Sequence, residues 1–294
     1  KEQVSRMISR NAIRSRNFCS AVRSRVVDGV ATVTLSAPSR RNPLSTAALH
    51  ELHVHLNDLH SCSGAEASRV VILEAEGPAF CAGHDLKEMR ALQESSASSG
   101  PDAGACRDDA GLRELFAACS AVMRAIVESP LPVIAKVDGI ATAAGCQLVA
   151  SCDLAIASET SRFATPGVNI GLFCHTPAVA LARNVGRKAA MEMLLTGELY
   201  DATHAQRIGL INRVVSSEAL DAEVQSLAAQ IASKSSAVVA YGKRTLNEQM
   251  GVANLEEAYE IAGEAMVQNA AGFDDAAEGI AAFTEKRSPA WTHR

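Results

Sequence analysis

Residues 132–171 read PVIAKVDGIATAAGCQLVASCDLAIASETSRFATPGVNIG. The stretch begins with a strand of buried type, Val133–Val137, and continues through an Asp-Gly turn at 138–139. Small residues at 141–146 then open a short apolar helix, and a second strand follows at Leu154–Ala157. Because the first turn of a helix has backbone N–H groups without partners inside the helix, this segment predicts a site for a negative or partly negative oxygen. Tight packing is the alternative reason for the small residues.

A second element of the same kind lies upstream, at Gly77–Met89, with the sequence GPAFCAGHDLKEM. It follows a predicted strand, Val70–Glu74, and precedes another predicted helix. Two strand-to-helix turns that each present a backbone N–H can converge on one carbonyl oxygen. The pair therefore predicts a site that binds a carbonyl oxygen and stabilises charge on it.

Three blocks of sequence carry a resemblance to a known family: FCAGHDLKEM at 80–89, VDGIATAAGCQLVASCDLAIAS at 137–158 and FATPGVNIGL at 163–172. Their order and spacing are similar to those of the crotonase (enoyl-CoA hydratase/isomerase) family, and the match runs from about Val26 to the C-terminus. The resemblance implies an α/β fold, namely a crotonase-like spiral of ββα turns with a C-terminal helical trimerisation domain.

On this basis the chain divides into a tail at 1–25, a spiral core at 26–215 and a helical C-terminal domain at 216–294. The core opens with a predicted hairpin, Val26–Leu35, around an Asp-Gly turn. Predicted helices follow at Thr46–His60, Leu112–Glu128, Arg187–Thr196, Thr203–Arg207, Glu218–Ser233, Ala237–Met250 and Leu255–Ala270. The Ser-, Ala- and Gly-rich stretch Gln93–Gly111 predicts a flexible insertion.

The tail at 1–25 contains six arginines and a single acidic residue, Glu2. A composition rich in arginine and serine and poor in acids is typical of a mitochondrial transit peptide, and a disordered basic tail is the alternative. None of the eight cysteines forms a C-x-x-C pair with zinc spacing, which favours buried, reduced thiols in an intracellular compartment. The expected location is the mitochondrial matrix.

Composition limits the classes of function. The chain is 48% hydrophobic and 21% charged, as in ordinary globular proteins with a sizeable core. Its formal net charge of -5 gives no electrostatic reason to expect nucleic acid, so an RNA-associated role is a weak alternative. No apolar run approaches the roughly 20 residues of a membrane-spanning helix. A dinucleotide dehydrogenase is weaker still, because no G-x-G-x-x-G follows a predicted strand.

The family's shared step is the stabilisation of a thioester enolate by two backbone N–H groups. By its motifs, the resemblance assigns those donors to His84 and Ala144. It also implies an acyl-CoA thioester as the bound partner, a homotrimer or hexamer, and no metal or cofactor other than coenzyme A as part of the substrate. The implied substrate contacts are Arg41, Ala82, His84, Asp85, Leu86, Lys87 and Ala144.

The sequence departs from the active hydratases of the family at two positions. The resemblance implies two glutamates that hold and activate a water, but Gln147 and Gly167 occupy their places here. An amide cannot exchange a proton at neutral pH, and glycine has no side chain. Each general acid or base contributes roughly 10²–10⁴ to a rate, so hydration is expected to be weak or absent. A satisfied polar residue near a helix start is the alternative interpretation of Gln147.

His175 is the candidate for a replacement base. It lies eight residues after Gly167, an offset at which isomerase and dehalogenase branches of the family place an aspartate. An unperturbed imidazole pKa of roughly 6.5 suits proton transfer near neutrality. The apolar neighbours at 172–174 are expected to shield the ring, and Thr176-Pro177 predicts a helix start beside it. An incidental histidine is the alternative.

The sequence therefore predicts an acyl-CoA thioester-binding protein of the enoyl-CoA hydratase/isomerase type, acting in fatty-acid and acyl-CoA metabolism. The resemblance favours an enzyme, although not an ordinary hydratase. A non-catalytic acyl-CoA-binding or regulatory protein is the alternative, and turnover of an acyl-CoA distinguishes the two.

Overall fold

The structure, a computed structural model, describes residues 20–61, 67–97 and 109–294. Strand β1, Val22–Val27, pairs antiparallel with β2, Val30–Leu35, around the predicted Asp-Gly turn. The predicted hairpin is confirmed, but β1 begins earlier than expected. Residues 22–25 therefore belong to the sheet rather than to the predicted tail, because they pair with β2 over the whole length of the strand. Residues 1–19 of the tail lie outside the described residues.

The remaining strands are β3 Val70–Ala75, β4 Ala79–Cys81, β5 Val133–Val137, β6 Ile140–Thr142, β7 Leu154–Ser158, β8 Arg162–Ala164, β9 Tyr200–Asp201 and β10 Arg213–Val215. They form a six-stranded sheet in the order β1-β2-β3-β5-β7-β10 and a four-stranded sheet in the order β4-β6-β8-β9. Three successive strand pairs, β3/β4, β5/β6 and β7/β8, each add one parallel strand to both sheets. This regular winding confirms the predicted spiral.

The helices are α1 Thr46–Ser61, α2 Leu86–Ala97, α3 Ala110–Val127, α4 Ala144–Ser151, α5 His175–Asn184, α6 Arg187–Thr196, α7 Ala202–Arg207, α8 Leu220–Ala232, α9 Ser236–Met250, α10 Leu255–Gly272 and α11 Asp274–Glu285. The insertion predicted at Gln93–Gly111 is wrong at both ends. Helix α2 continues to Ala97, and α3 begins at Ala110. Gly111 lies directly against Leu92, so small residues that suggested a loop instead let the two helices pack closely.

Apolar helix faces cover both sides of the larger sheet. On one side, the predicted face of α1 is buried through Leu49, Leu52, Leu56 and Leu59. On the other side, α8 packs Leu220 and other apolar residues onto β3, β5 and β7. Although α8 falls within the predicted helical domain, it forms part of the core that encloses the sheet.

Helices α9 and α10, in contrast, bury none of their residues in this chain. Polar contacts connect α9 to the core: Lys243 Nζ lies 2.6 Å from an Asp153 carboxylate oxygen and donates to the Ile126 and Leu131 carbonyls at 3.0 and 3.1 Å. The Asn247 amide donates to the Val127 carbonyl at 2.9 Å. Large apolar side chains stay exposed on α9, α10 and α11, among them Leu246, Met250, Leu255, Tyr259, Met266, Val267, Ile280 and Phe283.

Candidate functional site

The two strand-to-helix turns that the sequence singled out lie side by side. Gly83 has a φ of +93°, and a Cβ built on it would lie 2.9 Å from Ala143 Cβ and 3.4 Å from the Ala144 amide nitrogen. Only glycine accepts both this backbone conformation and this approach. The turn before α2 therefore touches the turn before α4 through backbone atoms.

Strand pairing explains why the turns meet. Strands β4 and β6 are parallel neighbours, with Cys81 opposite Ala141, so the turns that follow them leave the sheet at the same edge. The first turn of α4 also sits directly on β4, because a Cβ on Gly145 would overlap the Cys81 carbonyl oxygen. Position 145 is thus a glycine because the backbone of β4 occupies the space that a side chain would need.

Each turn offers a free amide. The Leu44 N–H donates to the Gly83 carbonyl at 2.8 Å and the Asp85 N–H donates to the Leu44 carbonyl at 3.3 Å, which leaves the His84 N–H between them. Ala144 is the first residue of α4, where amide groups have no acceptor within the helix. No group of residues 20–61, 67–97 or 109–294 accepts a hydrogen bond from either N–H.

Backbone strain accompanies the second turn. Ala143 has a φ of +51° and a ψ of -118°, a conformation that side-chain-bearing residues rarely adopt. Such a residue costs about 1–3 kcal/mol and persists only where surrounding contacts determine it. The Ala143 N–H donates to the Ala164 carbonyl at 2.9 Å, which is one of those contacts.

The loop at 38–42 supports the first turn. The Ala82 N–H donates to the Arg41 carbonyl at 3.0 Å. Asn42 is buried, and its amide donates to the Glu76 and Ala79 carbonyls at 2.9 and 2.8 Å while its Oδ1 accepts from the Ala37 N–H. Sequence reasoning missed Asn42. Asn42 has a positive φ of 50°, which asparagine tolerates better than most residues. This angle explains the choice of asparagine, but only the structure shows it.

The predicted substrate-contacting side chains surround this turn. Asp85 Oδ1 accepts from the Lys87 N–H at 3.0 Å and so caps α2, and its other oxygen pairs with the Arg40 guanidinium. Ala82, Leu86 and Lys87 are exposed beside it, as is Arg41. This surface presents cationic side chains and one exposed leucine to solvent.

Gln147 lies in α4, three residues after Ala144, and its side chain is only 4% exposed. The Cys119 thiol donates to Gln147 Oε1, with sulfur and oxygen 3.9 Å apart. Burial raises the pKa of the Cys119 thiol to about 12, so the thiol stays a neutral donor. Neither group can act as an acid or base near neutral pH.

Gly167 lies in a 3₁₀ turn, Pro166–Ile170, and has no room for a side chain. A Cβ there would lie 2.8 Å from the Leu172 carbonyl oxygen and 2.9 Å from Cys174 Sγ. Those atoms fill the space into which a side chain at position 167 would project. The glycine is therefore built into the local packing of this segment.

His175, the predicted replacement base, is the first residue of α5. The expected helix start is confirmed, but the expected apolar shielding is wrong. The His175 side chain is exposed, and its ring contact is with the partly exposed ring of Phe173, at a centroid distance of 4.9 Å. The shielding fails because the neighbouring side chains at 172–173 themselves face solvent.

The side chain of His84 is half-buried at this site, with its Nε2 shielded from solvent, and sequence reasoning had considered only its main chain. Its ring packs edge-on against Phe116 of α3, with centroids 5.4 Å apart and planes at 88°. Burial lowers the pKa of His84, and the Leu44 carbonyl and Glu88 oppose that shift in part. No local sequence pattern could have indicated this packing, because Phe116 lies far from His84 in sequence.

Three further features concern the part of the chain that the structure describes. No group of three or more His, Cys, Asp or Glu side chains there could hold a metal ion. No helix in those ranges is long and apolar enough to cross a membrane. The five described cysteines, at 81, 119, 146, 152 and 174, are all free and buried, as predicted.

The sequence of this chain is similar to a known family and to named proteins. The family model described as enoyl-CoA hydratase/isomerase matches residues 25–294. A Mus musculus protein named enoyl-CoA hydratase domain-containing protein 3, mitochondrial, is 50% identical over 270 residues, covering 92% of this chain and 84% of the mouse protein. The Homo sapiens protein of the same name is 47% identical, with 92% and 83% covered.

Solved structures agree with the sequence matches. The crystal structure of human enoyl Coenzyme A hydratase domain-containing protein 3 superposes with a TM-score of 0.82 at 46% identity, covering 92% of this chain and 100% of the human one. An enoyl-CoA hydratase from Mycobacterium smegmatis gives a TM-score of 0.82 at 47% identity, with 92% and 98% covered.

Proposed function

This chain belongs to the enoyl-CoA hydratase/isomerase family, as its three sequence blocks predicted, and we propose that it binds an acyl-CoA thioester and stabilises charge on the thioester oxygen. The two donors are the amide N–H groups of His84 and Ala144. Exposed Arg41 and Lys87 contact the phosphates of coenzyme A, with which their charge is complementary. Ala82, Asp85 and Leu86, beside the first turn, are the remaining proposed contacts to the substrate.

One observation supports this proposal above the others: two amide N–H groups on touching turns have no acceptor among the described residues. A carbonyl oxygen that gains negative charge in a transition state is stabilised by such pre-positioned donors. The turns are held by backbone contacts at Gly83 and Gly145, so the donors need no reorganisation when the charge develops. Losing one donor of this kind costs roughly 10²–10³ in rate.

A second candidate function follows from the residues at positions 147 and 167. Gln147 and Gly167 replace both hydratase glutamates, and Leu172 and Cys174 fill the space at position 167. The alternative is an acyl-CoA-binding or regulatory protein that does not turn its ligand over. Either way, addition of water across an enoyl double bond is expected to be slow.

Assembly and location are proposed on separate grounds. The exposed apolar side chains of α9, α10 and α11 suit burial against other copies of the chain, and we propose a homotrimer or a hexamer built on them. The relatives named mitochondrial support mitochondrial location, with the matrix as the proposed compartment. Sedimentation at several protein concentrations tests the assembly, and a monomer throughout would contradict it.

The central experiment measures acyl-CoA binding and turnover after removal of one amide donor. Proline is favoured at the first position of a helix, so Ala144→Pro removes the N–H while keeping a residue compatible with the start of α4. We expect calorimetry to show acyl-CoA binding to the wild type. We expect Ala144→Pro to weaken binding a few-fold and to lower any turnover by about 10²–10³.

Arg187→Pro is the matched control, because Arg187 is the exposed first residue of α6 and lies outside the proposed site. Thermal melting shows whether each variant folds. Binding unchanged in a folded Ala144→Pro protein would contradict the donor assignment. Absence of heat and of thermal shift with acyl-CoAs of several chain lengths would overturn the proposed function itself.

A further inference from the structure

A cleft with polar side chains lies between the β1–β2 hairpin and α8, on the face of the larger sheet that α8 covers. Its volume is about 590 Å³, within the range of roughly 300–1,000 Å³ that is usual for small-molecule sites. Val27 and Val30 of the hairpin and Ala229 of α8 form apolar parts of its wall. None of its lining residues belongs to the turns at 82–84 and 142–144, so the cleft is separate from the proposed acyl-CoA site.

The cleft forms where one row of the sheet changes from apolar to polar. Ile134 on β5 lies opposite Ile72 on β3. Ile72 lies opposite Thr32 on β2, which in turn lies opposite Arg25 on β1. Residues opposite one another in a sheet project to the same face, and the two isoleucines are buried in the cluster that α8 covers. At Thr32 and Arg25 the row continues with a hydroxyl and a guanidinium in place of a packed core.

The Thr32 hydroxyl lacks a partner among the described residues. Thr32 is only 4% exposed, and its Oγ1 has no hydrogen bond to any of residues 20–61, 67–97 or 109–294. Buried hydroxyl groups usually have a hydrogen-bond partner, because their removal from water is otherwise uncompensated. Since Thr32 lines the cleft, a ligand atom in the cleft is in a position to accept from this hydroxyl.

The Arg69 guanidinium is held in a fixed place beside the hairpin turn. The Arg69 N–H donates to the Gly29 carbonyl at 2.7 Å, and Nη1 donates to the Ala232 carbonyl at the end of α8 at 2.9 Å. Gly29 has a φ of +78°, and a Cβ there would lie 2.6 Å from Arg69 Nε, so only glycine lets the guanidinium lie across the turn. The contact with Ala232 leaves the other N–H groups of Arg69 available to a ligand.

The charges of the lining are not neutralised by ion pairs. Arg25 and Arg69 have no carboxylate partner in the part of the chain that the structure describes. Arg23, two residues earlier and on the same face of β1, pairs with Glu76 outside the cleft. Asp28 is the acidic residue of the lining. Two cations and one anion leave an excess of one positive charge, which favours a ligand with a single negative charge.

We propose that this cleft binds a small aliphatic monocarboxylate. Its carboxylate lies between Arg25 and Arg69, because the planar guanidinium matches a carboxylate in geometry as well as in charge. One carboxylate oxygen accepts from the Thr32 hydroxyl. The aliphatic chain packs against the valines of the hairpin and the alanines of α8. Asp28 disfavours a phosphate dianion, since it repels the second negative charge.

The test compares hexanoate, 1-hexanol and inorganic phosphate as ligands of the full chain, with dissociation constants measured by NMR titration. We expect the wild type to bind hexanoate at least about tenfold more tightly than either of the others. 1-Hexanol lacks the charge that the arginines recognise, and phosphate lacks the aliphatic chain.

Two variants remove the proposed contacts one at a time. Arg25→Gln removes the charge of an exposed side chain and is expected to weaken hexanoate binding at least about tenfold. Thr32→Val keeps the shape of the side chain but removes the hydroxyl, and it is expected to weaken binding about threefold to tenfold. Arg23→Gln is the matched control, because it removes an arginine from the same face of β1 outside the cleft and should leave hexanoate binding unchanged.

Each other outcome counts against the inference. Absence of hexanoate binding would overturn it, and phosphate binding as tight as that of hexanoate would show an unspecific anion site. Equal losses in Arg23→Gln and Arg25→Gln would mean that only the general surface charge matters. Hexanoate binding that Ala144→Pro abolishes and Arg25→Gln leaves unchanged would assign the carboxylate to the paired turns. None of these results bears on acyl-CoA binding, which the experiment of the proposed function tests separately.

Discussion

The two sides of the candidate site are built in different ways. On one side, the turns at 82–84 and 142–144 touch through glycine and main-chain atoms, and their free N–H groups belong to the backbone. On the other side, Gln147 and the segment 166–175 carry no carboxylate at the family's positions, and a carbonyl and a thiol occupy the space at Gly167. In the proposed function, the side that works through the main chain keeps its two donors, whereas the side that works through side chains lacks the two carboxylates that the family resemblance implies.

Packing explains why the two sides differ. A backbone donor is held by the same contacts that hold the fold, so a substitution that moves the donor also disturbs β4, β6 or α4. A catalytic carboxylate depends on one side chain, and its loss costs the fold little. The comparison therefore teaches that the site can lose proton transfer while it keeps its capacity to hold a charged oxygen.

The largest expected effect is on hydration of crotonyl-CoA. With neither glutamate, the rate is expected to be about 10⁴-fold or more below that of a family hydratase carrying both, since each contributes at least about 10². The double variant Gln147→Glu with Gly167→Glu should not recover it, because the Leu172 carbonyl leaves no room for the new side chain. Loss of enoyl absorbance measures the rate.

A stability measurement accompanies that prediction. Gly167→Ala alone should lower the free energy of unfolding by about 1–3 kcal/mol, as overpacking does. A wild-type rate comparable to an ordinary hydratase, abolished by Ala144→Pro, would show that the second side still transfers protons. Recovery of hydration in the double variant would show that position 167 is open.

The next largest effect tests the contact that holds the two turns with the backbone donors. Gly145→Ala places a methyl group on the Cys81 carbonyl, where backbone atoms on both sides cannot yield without moving β4 or α4. We expect a loss of at least about 3 kcal/mol in the free energy of unfolding, measured by chemical denaturation, or failure to fold.

Gly263→Ala is the control for Gly145→Ala. Nothing lies within 4 Å of a Cβ at Gly263, which is in the interior of α10. This change should leave stability unchanged or raise it by about 0.5–1 kcal/mol, because alanine favours helix. Equal stability of both variants would mean that the paired turns are not held by the contact described.

A smaller effect is expected at His175. The sequence-based hypothesis of a general base predicts that His175→Ala loses about tenfold in rate on any acyl-CoA that the protein turns over. The exposed ring favours a change of less than about twofold, because a solvated imidazole is not held against a buried substrate carbon. A tenfold loss with unchanged acyl-CoA affinity would restore His175 as the base.

The sequence predicted the architecture more completely than it predicted the surroundings of the side chains at the site. Small residues identified both turns, because backbone packing forces glycine and alanine at fixed spacings, and the family resemblance of the ordered blocks implied the spiral. Helix α11 and the packing of the His84 ring were missed, since each depends on contacts between distant segments: the C-terminal tail against Asp275, and Phe116 against His84. Exposure of His175 was misjudged because apolar neighbours in sequence do not ensure burial.

The smallest expected effect is the contribution of His84 to the pH dependence of stability. In the unfolded chain an imidazole titrates near its ordinary pKa of about 6.5. Burial lowers the pKa of His84 in the folded protein, so below about pH 6.5 the unfolded state binds a proton that the folded state does not. The free energy of unfolding should therefore fall as pH decreases through this window, and His84→Gln should make that fall shallower. Melting temperatures between about pH 7.5 and 5.5 measure the slope. Gly263→Ala changes no titratable group and should leave the slope as in the wild type. Equal slopes in wild type and His84→Gln would mean that the His84 ring reaches water and is not the desolvated group that the packing against Phe116 indicates.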